Sequence, residues 1–127
     1  MSDSVFVLKD GRSQQPVPSV WRNTLAEIVE AFKRGDFSLA RGITGVRPIP
    51  TGDADGIAAN IQDYGAQLAS LPEETWRTSV CQWLGTHWDV MVDLFTEEEG
   101  ASDLILHVRV WEEGSTYVFE VHLVYVP

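Results

Sequence analysis

The sequence has a single cysteine, Cys81, among its 127 residues. This excludes an intramolecular disulfide, and a chain of this length can bury a sufficient apolar core without a covalent or metal cross-link. No apolar run approaches the roughly 20 residues that a membrane helix needs. Residues 1–10 do not combine a basic region with a long apolar run. We therefore expect a cytoplasmic protein without a signal peptide or a membrane span.

Basic side chains are also scarce, because 9 Lys and Arg residues stand against 19 Asp and Glu residues, for a net charge of −10. Residues 1–52 hold seven basic and five acidic side chains, whereas residues 53–127 hold two basic and fourteen acidic ones. A surface of this sign repels nucleic acid and anionic membranes, so we expect neither as a partner. The charge favours a basic protein partner, and a homodimer is also compatible with the sequence.

Sequence motifs of well-known chemistry are missing. No Lys-Ser or Lys-Thr pair follows residues 42–45, so this glycine-bearing segment is not a phosphate-binding loop. Residues 53–56 lack the further acidic ligands of a calcium loop, and no residues have the close spacing of zinc ligands. Nothing near Cys81 in the sequence would activate it as a nucleophile. We therefore expect no catalytic residue, no metal site and no cofactor.

Apolar residues nevertheless make up 44% of the chain, and their spacing predicts the fold. Apolar stripes at helical spacing predict helices over 19–34 and 54–69. Between them lies an irregular segment with several glycines and prolines, residues 36–52, which is long enough to suggest a mobile or functional connection.

The second half of the chain changes to strand patterns. Alternation predicts strands over 87–95, 103–112 and 116–126, and β-branched and aromatic residues favour another over 75–84, although residues 70–73 also fit a helix start. Residues 5–8 are a candidate additional edge strand. The expected fold is one α+β domain over 1–127, in which two N-terminal helices pack on the apolar face of a four-stranded antiparallel meander.

A Gly-Ser turn at residues 114–115 suits a type II′ hairpin and sets the register of the last two strands. The predicted cross-strand pairs are Val110–Phe119, Val108–Val121, Leu106–Leu123, Arg109–Glu120 and His107–His122. The last two pairs fall on the face opposite the helices, and we expect an ion pair between Arg109 and Glu120.

This second face carries all three histidines of the chain, together with charged and apolar residues. The candidate binding residues, including a neighbouring acidic loop, are His87, Asp89, Asp93, His107, Arg109, Trp111, Glu120, His122, Glu97, Glu98 and Glu99. Met91, Phe95 and Val124 are predicted on the same face. Three interpretations stay open: a plain half-exposed sheet face, a surface that binds a partner or ligand, and an acid–base or metal site.

Several strings of the sequence, taken together, resemble a family of small acidic bacterial proteins of unknown function. They are residues 28–32, 35–36, 71–76, 81–83, 88–94, 98–104 and 121–127. The resemblance covers most of the chain and implies a bacterial origin, but no activity, cofactor or catalytic residue. In composition alone, the chain is similar to the small acidic immunity partners of bacterial toxins.

Residues 31–37 are similar to the end of the first helix in the cone-shaped nuclear-transport-factor-like fold. That fold often holds a small-molecule pocket with His and Asp. The present sequence departs from it, because we expect the helices on the unbroken apolar face and the His and Asp residues on the opposite one.

We therefore predict a non-catalytic, acidic protein-interaction module, an immunity- or inhibitor-like partner of a basic protein. The alternative is a small-molecule binding domain or a minor hydrolase or isomerase that uses His107, His122, Asp89 and Glu120.

Overall fold

The computed structural model describes residues 7–127. In chain order the elements are β1 (Gln15–Pro16), α1 (Ser19–Lys33), α2 (Thr51–Tyr64), a 3₁₀ helix (Glu73–Arg77), β2 (Val80–Trp83), β3 (Trp88–Thr96), β4 (Gly100–Glu113) and β5 (Thr116–Tyr125). The five strands form one antiparallel sheet and lie in it in chain order. The predicted α+β class, with two helices before an antiparallel sheet, is confirmed.

The core lies between the two helices and one face of the sheet. Trp21 of α1 is fully buried and packs edge-on against Trp88 and Tyr117, with ring centroids 5.2 and 5.4 Å apart. Ile57 of α2 is equally buried in the same cluster. This arrangement follows from the helical apolar stripes, which each expose one continuous apolar face. Within residues 7–127, no helix is long and apolar enough to cross a membrane.

The bounds of α2 and of the strand predicted over 75–84 differ most from the prediction. α2 begins at Thr51, directly after Pro50, and ends where Gly65 takes a left-handed conformation (φ 84°). The first part of the predicted strand 75–84 is the 3₁₀ helix instead. There the side chain of Thr75 donates a hydrogen bond to the backbone carbonyl of Asp93 and so ties this turn to β3.

The sheet has a short N-terminal edge strand, but at other residues than those predicted. Of the strand predicted over 5–8, the first two residues lie outside the described residues, and Val7 and Leu8 are not in a strand. The added strand is β1, in which Gln15 pairs with Cys81 and Pro16 with Val80. Since Pro16 has no N–H to donate, β1 makes a poor template for another strand.

The hairpin register is confirmed near the turn and wrong beyond it. The pairs Val110–Phe119, Val108–Val121 and Arg109–Glu120 are present, whereas His107 pairs with Leu123 and Leu106 with Val124. A bulge places one extra residue, His122, in β5 between the two sets of pairs. The bulge reverses the faces beyond it, so Val124 is in the core and fully buried rather than on the outer face. Phe95, also predicted on the outer face, is buried as well.

The edge at β5 is covered by the segment between the helices. The backbone N–H of Arg47 donates to the carbonyl of Phe119 at 2.9 Å, and the N–H of Phe119 donates to the carbonyl of Gly45 at 2.8 Å. Further along β5, the side-chain amide of Asn60 donates to the carbonyl of Val124. These contacts block the addition of another strand to the edge, and they bring Arg47 beside the face of the sheet opposite the helices, the outer face.

Candidate functional site

The sheet register gathers most of the predicted binding residues at the centre of the outer face. Asp89 of β3, Arg109 of β4 and Glu120 of β5 are direct neighbours in one row across three strands. His107 belongs to the next row, where it pairs with Met91. Alternation of side chains along each strand therefore places acidic, basic and imidazole groups together, as the sequence predicted.

One carboxylate oxygen, Oδ1 of Asp89, is shared by three cationic or potentially cationic groups. It lies 3.1 Å from Nε2 of His107, 3.8 Å from Nε of Arg109 and 3.9 Å from Nε2 of His87. Oδ1 and the His107 nitrogen are both buried, and among the described residues neither has an aligned hydrogen-bond partner. Their close approach is therefore an electrostatic contact rather than an aligned hydrogen bond.

The bulge in β5 brings the imidazoles of His107 and His122 together by a different route from the predicted one. The two residues are not direct cross-strand partners, but their ring centroids lie 4.9 Å apart with the rings edge-to-face. Partial burial lowers the pKa of His122 below its usual value, and the positive charge of Arg109 and the neighbouring His107 lower it further. His122 is therefore neutral at neutral pH.

Trp111 is held between two side chains on the outer face. The imidazole of His87 stacks on its ring at a centroid distance of 4.9 Å, and the guanidinium of Arg47 lies 5.2 Å from the ring centroid. Thr86 fixes the first of these partners through a 2.8 Å contact with Nδ1 of His87. These contacts position a large aromatic side chain at the surface before any partner arrives.

The predicted Arg109–Glu120 ion pair is wrong, although the two residues are neighbours in the register. Arg47 Nη1 instead donates to Oε2 of Glu120 at 3.0 Å, while Arg109 leans toward Asp89. The sequence analysis missed Arg47 because the residue reaches this face only through the backbone bonds between its segment and β5. The irregular composition of residues 36–52 was the signal that this segment has a role.

A recess of about 350 Å³ opens beside this network, between the inter-helix segment and the middle of β5. Its lining residues are Arg47, Pro48, Pro50, Asp53, Arg109, Glu120, Val121 and His122. Only Arg109, Glu120 and His122 were predicted as site residues. The remainder come from the inter-helix segment, from the first turn of α2 and from the backbone region of β5.

The other predicted site residues make their contacts elsewhere. Asp93 accepts a hydrogen bond from the side chain of Thr78, and its backbone N–H donates to Ser79. In the acidic loop, Glu98 accepts from the backbone N–H of Gln67 at 3.0 Å, and the N–H of Glu97 donates to the carbonyl of Gln67. Glu97 and Glu98 thus fasten the β3–β4 hairpin to the chain that follows α2, whereas Glu99 bonds to Thr96 within the hairpin. They do not join the histidine network.

Two further observations concern metal and thiol chemistry. Across residues 7–127, no three His, Cys, Asp or Glu side chains come close enough to hold a metal ion together. Cys81 is 2% exposed, and burial raises the pKa of its thiol to about 11. A buried, protonated thiol of this kind is a poor nucleophile.

Comparison with known proteins gives a family without an assigned activity. Residues 29–127 match a family described as a domain of unknown function, DUF7668. No curated protein and no solved structure matches the chain. The resemblance to an uncharacterised family is thus confirmed, while the bacterial origin stays a prediction.

Proposed function

We propose that this chain, which belongs to the DUF7668 family, is a non-catalytic module that binds a basic protein through the outer face of its sheet. The observation that carries the proposal is the large number of exposed carboxylates that have no basic partner among residues 7–127. Of the fourteen acidic residues in 53–127, eleven are exposed: Asp53, Asp55, Asp63, Glu73, Glu74, Glu97, Glu98, Glu99, Asp103, Glu112 and Glu113.

Among the described residues, only one of these eleven, Glu112, lies within ion-pair distance of a basic side chain, Lys9. Uncompensated charge of one sign destabilises a compact chain through repulsion. A basic partner relieves that repulsion, speeds association and gives binding that weakens with salt.

Trp111 supports the outer face as the place of contact. Binding hot spots are enriched in Trp and Arg, and Trp111 is already ordered by Arg47 and His87. Both edges of the sheet are obstructed by Pro16 and by the segment around Arg47, so a partner is expected to contact side chains rather than extend the sheet.

The proposal is tested by affinity capture from a lysate of the source organism, at low salt and at ~0.5 M salt. Trp111→Ala removes the proposed anchor, and a triple Gln substitution of Glu97, Glu98 and Glu99 removes charge. Val20→Ala is the matched control, because Val20 is 39% exposed and lies on α1, which packs on the opposite face of the sheet.

The expected result is capture of a basic protein at low salt by the unchanged chain and by Val20→Ala. Trp111→Ala should lose that protein, while the triple Gln variant should retain less of it. Capture that is the same for all four proteins, or no captured basic protein, contradicts the proposal.

A second candidate function, small-molecule binding or minor acid–base chemistry, is favoured by one specific observation. Oδ1 of Asp89 and Nε2 of His107 form a buried contact at 3.1 Å. The ring centroid of His122 lies 4.9 Å from that of His107, and His122 also lines the recess. A carboxylate that orients an imidazole is a common arrangement for proton transfer.

NMR titration of the three histidines tests this second function. A functional pair predicts that His107 and His122 titrate as a coupled pair with displaced midpoints. Three independent titrations near 6.5, unchanged by added metabolite mixtures, would show that the outer face is an ordinary exposed sheet surface. This second function would then be rejected.

A further inference from the structure

The recess beside the histidine network contains charged groups of two kinds, those hydrogen-bonded to each other and those that make no hydrogen bond to any described residue. Arg47 and Glu120 are paired with each other at 3.0 Å, and Arg47 also lies over Trp111. These two side chains form part of the wall of the recess. They cannot bind a ligand without giving up contacts that hold the outer face together.

The cation of the recess that makes no hydrogen bond to a described residue is Arg109, whose one ion-pair contact there is the long one to Asp89. Within residues 7–127 its guanidinium makes no hydrogen bond, and the carboxylate oxygen nearest to it, Oδ1 of Asp89, is 3.8 Å from its Nε. Its side chain is 36% exposed, so its donors are open to the recess and to solvent. A planar guanidinium with unused donors matches a carboxylate in a two-bond geometry.

The unpaired anion of the recess is Asp53, in the first turn of α2. Its side chain is exposed and takes part in no ion pair or hydrogen bond with any described residue. The recess thus presents one available positive group and one available negative group. His122 adds an imidazole with both a donor and an acceptor nitrogen.

The shape of the recess suits a small, compact molecule. Its volume is about 350 Å³, which is at the lower end of ligand pockets. Pro48 and Pro50 form part of the wall, and their fixed φ angles limit the entropy lost when the wall is ordered around a ligand.

We infer that the recess binds a small zwitterion, such as a free α-amino acid, with its carboxylate on Arg109 and its ammonium group on Asp53. A simple anion bound to Arg109 would leave Asp53 unpaired beside another negative charge. A simple cation bound to Asp53 would likewise place a positive charge beside Arg109. This inference rests on the small-molecule function proposed second, and it is independent of protein capture.

The test is a titration of the full chain with each of the twenty proteinogenic amino acids, followed by NMR of the His122 ring and the Arg109 Nε–H. The N-acetyl form of each binder removes the ammonium charge, and the amide form removes the carboxylate. Arg109→Gln and Asp53→Asn remove the two partners on the protein. Arg77→Gln and Asp55→Asn are matched controls, because both residues are exposed and neither lines the recess.

The expected result is saturable binding of at least one free amino acid, with shifts at both reporter groups. Loss of either ligand charge, or of Arg109 or Asp53, should weaken binding at least about tenfold, whereas the two controls should bind normally. Equal binding of the N-acetyl or amide forms, or unchanged affinity in Arg109→Gln, overturns the inference. So does a coupled histidine titration with no saturable amino acid, an outcome in which the second function stands and the ligand class is wrong.

Discussion

On the face of the sheet that meets the helices, Trp88 is fully buried and touches three aromatic rings. On the outer face, Trp111 is only partly buried and lies between an imidazole and a guanidinium. The first tryptophan is fixed by apolar packing and the second by charged and aromatic groups that water still reaches. The same strands thus present a surface that stabilises the fold and a surface that remains available for contact.

The two faces differ in how much contact with water their side chains have already lost in the folded chain. Core side chains have already left water, and their removal leaves a cavity. Outer-face side chains are ordered but only partly dehydrated, so a partner that covers them gains most of the remaining burial without a large ordering cost. We expect substitutions on the two faces to differ in kind as well as in size.

The largest effect on stability is expected from Trp88→Ala. It should lower the free energy of unfolding by about 3–5 kcal/mol, because a fully buried tryptophan leaves a cavity. Trp111→Ala should cost less than about 1 kcal/mol, as for partly exposed sites. Urea denaturation of both variants measures the difference, and Trp88→Phe serves if Trp88→Ala does not fold. Equal losses for the two tryptophans would contradict the distinction between the faces.

A smaller effect is expected from Asp89→Asn on the outer face. The change removes the charge that His107, His87 and Arg109 share, and we expect a loss of about 1–2 kcal/mol at pH 7. Asp55→Asn, at an exposed helix position, should stay within about 0.5 kcal/mol of the unchanged chain. If the two variants are equally stable, the Asp89 network does not order the outer face.

The core face was predictable from sequence in most of its detail, and the outer face much less. Strict alternation identified the apolar positions of β3 and β4. Side chains alternate between the two faces of a strand, so on a half-buried sheet the apolar set must be the one that faces the core. The bulge at His122 was not predictable, since no turn residue marks it, and it moved Val124 into the core. Arg47 was missed because a long-range backbone pairing with Phe119 brings it into place.

The next effect concerns the charge state of the outer face. Partial burial and the nearby Arg109 hold the pKa of His122 below 6.5. The unfolded chain therefore binds a proton at His122 more readily than the folded chain does. The stability that neutral His122 contributes is lost as the pH falls through about 6.5 toward the folded pKa.

NMR titration should give a His122 midpoint below 6.5, and Arg109→Gln should raise it, because one of the charges that disfavour the imidazolium is removed. Arg77→Gln, at an exposed site outside the recess lining, should leave the midpoint unchanged. A midpoint at or above 6.5 in the unchanged chain would mean that the carboxylates of Asp89 and Asp53 outweigh burial and Arg109 at His122.

The smallest expected effect is at Cys81, on the buried side of β2. With a thiol pKa of about 11 and 2% exposure, the folded protein should react negligibly with a disulfide reagent such as Ellman's reagent at pH 8. One equivalent should react once the chain is unfolded in denaturant. Rapid labelling of the folded chain would show that this edge of the core opens readily.

The most direct test of the outer face as a contact surface is site-specific photo-crosslinking in cells of the source organism. A crosslinking residue in place of Val118, the cross-strand partner of Trp111, should capture a basic protein. The same residue in place of Val20, which is exposed on α1 on the opposite side of the sheet, should not capture it, and Trp111→Ala should abolish the product from position 118. The same products from both positions, or no product from position 118, would contradict the account.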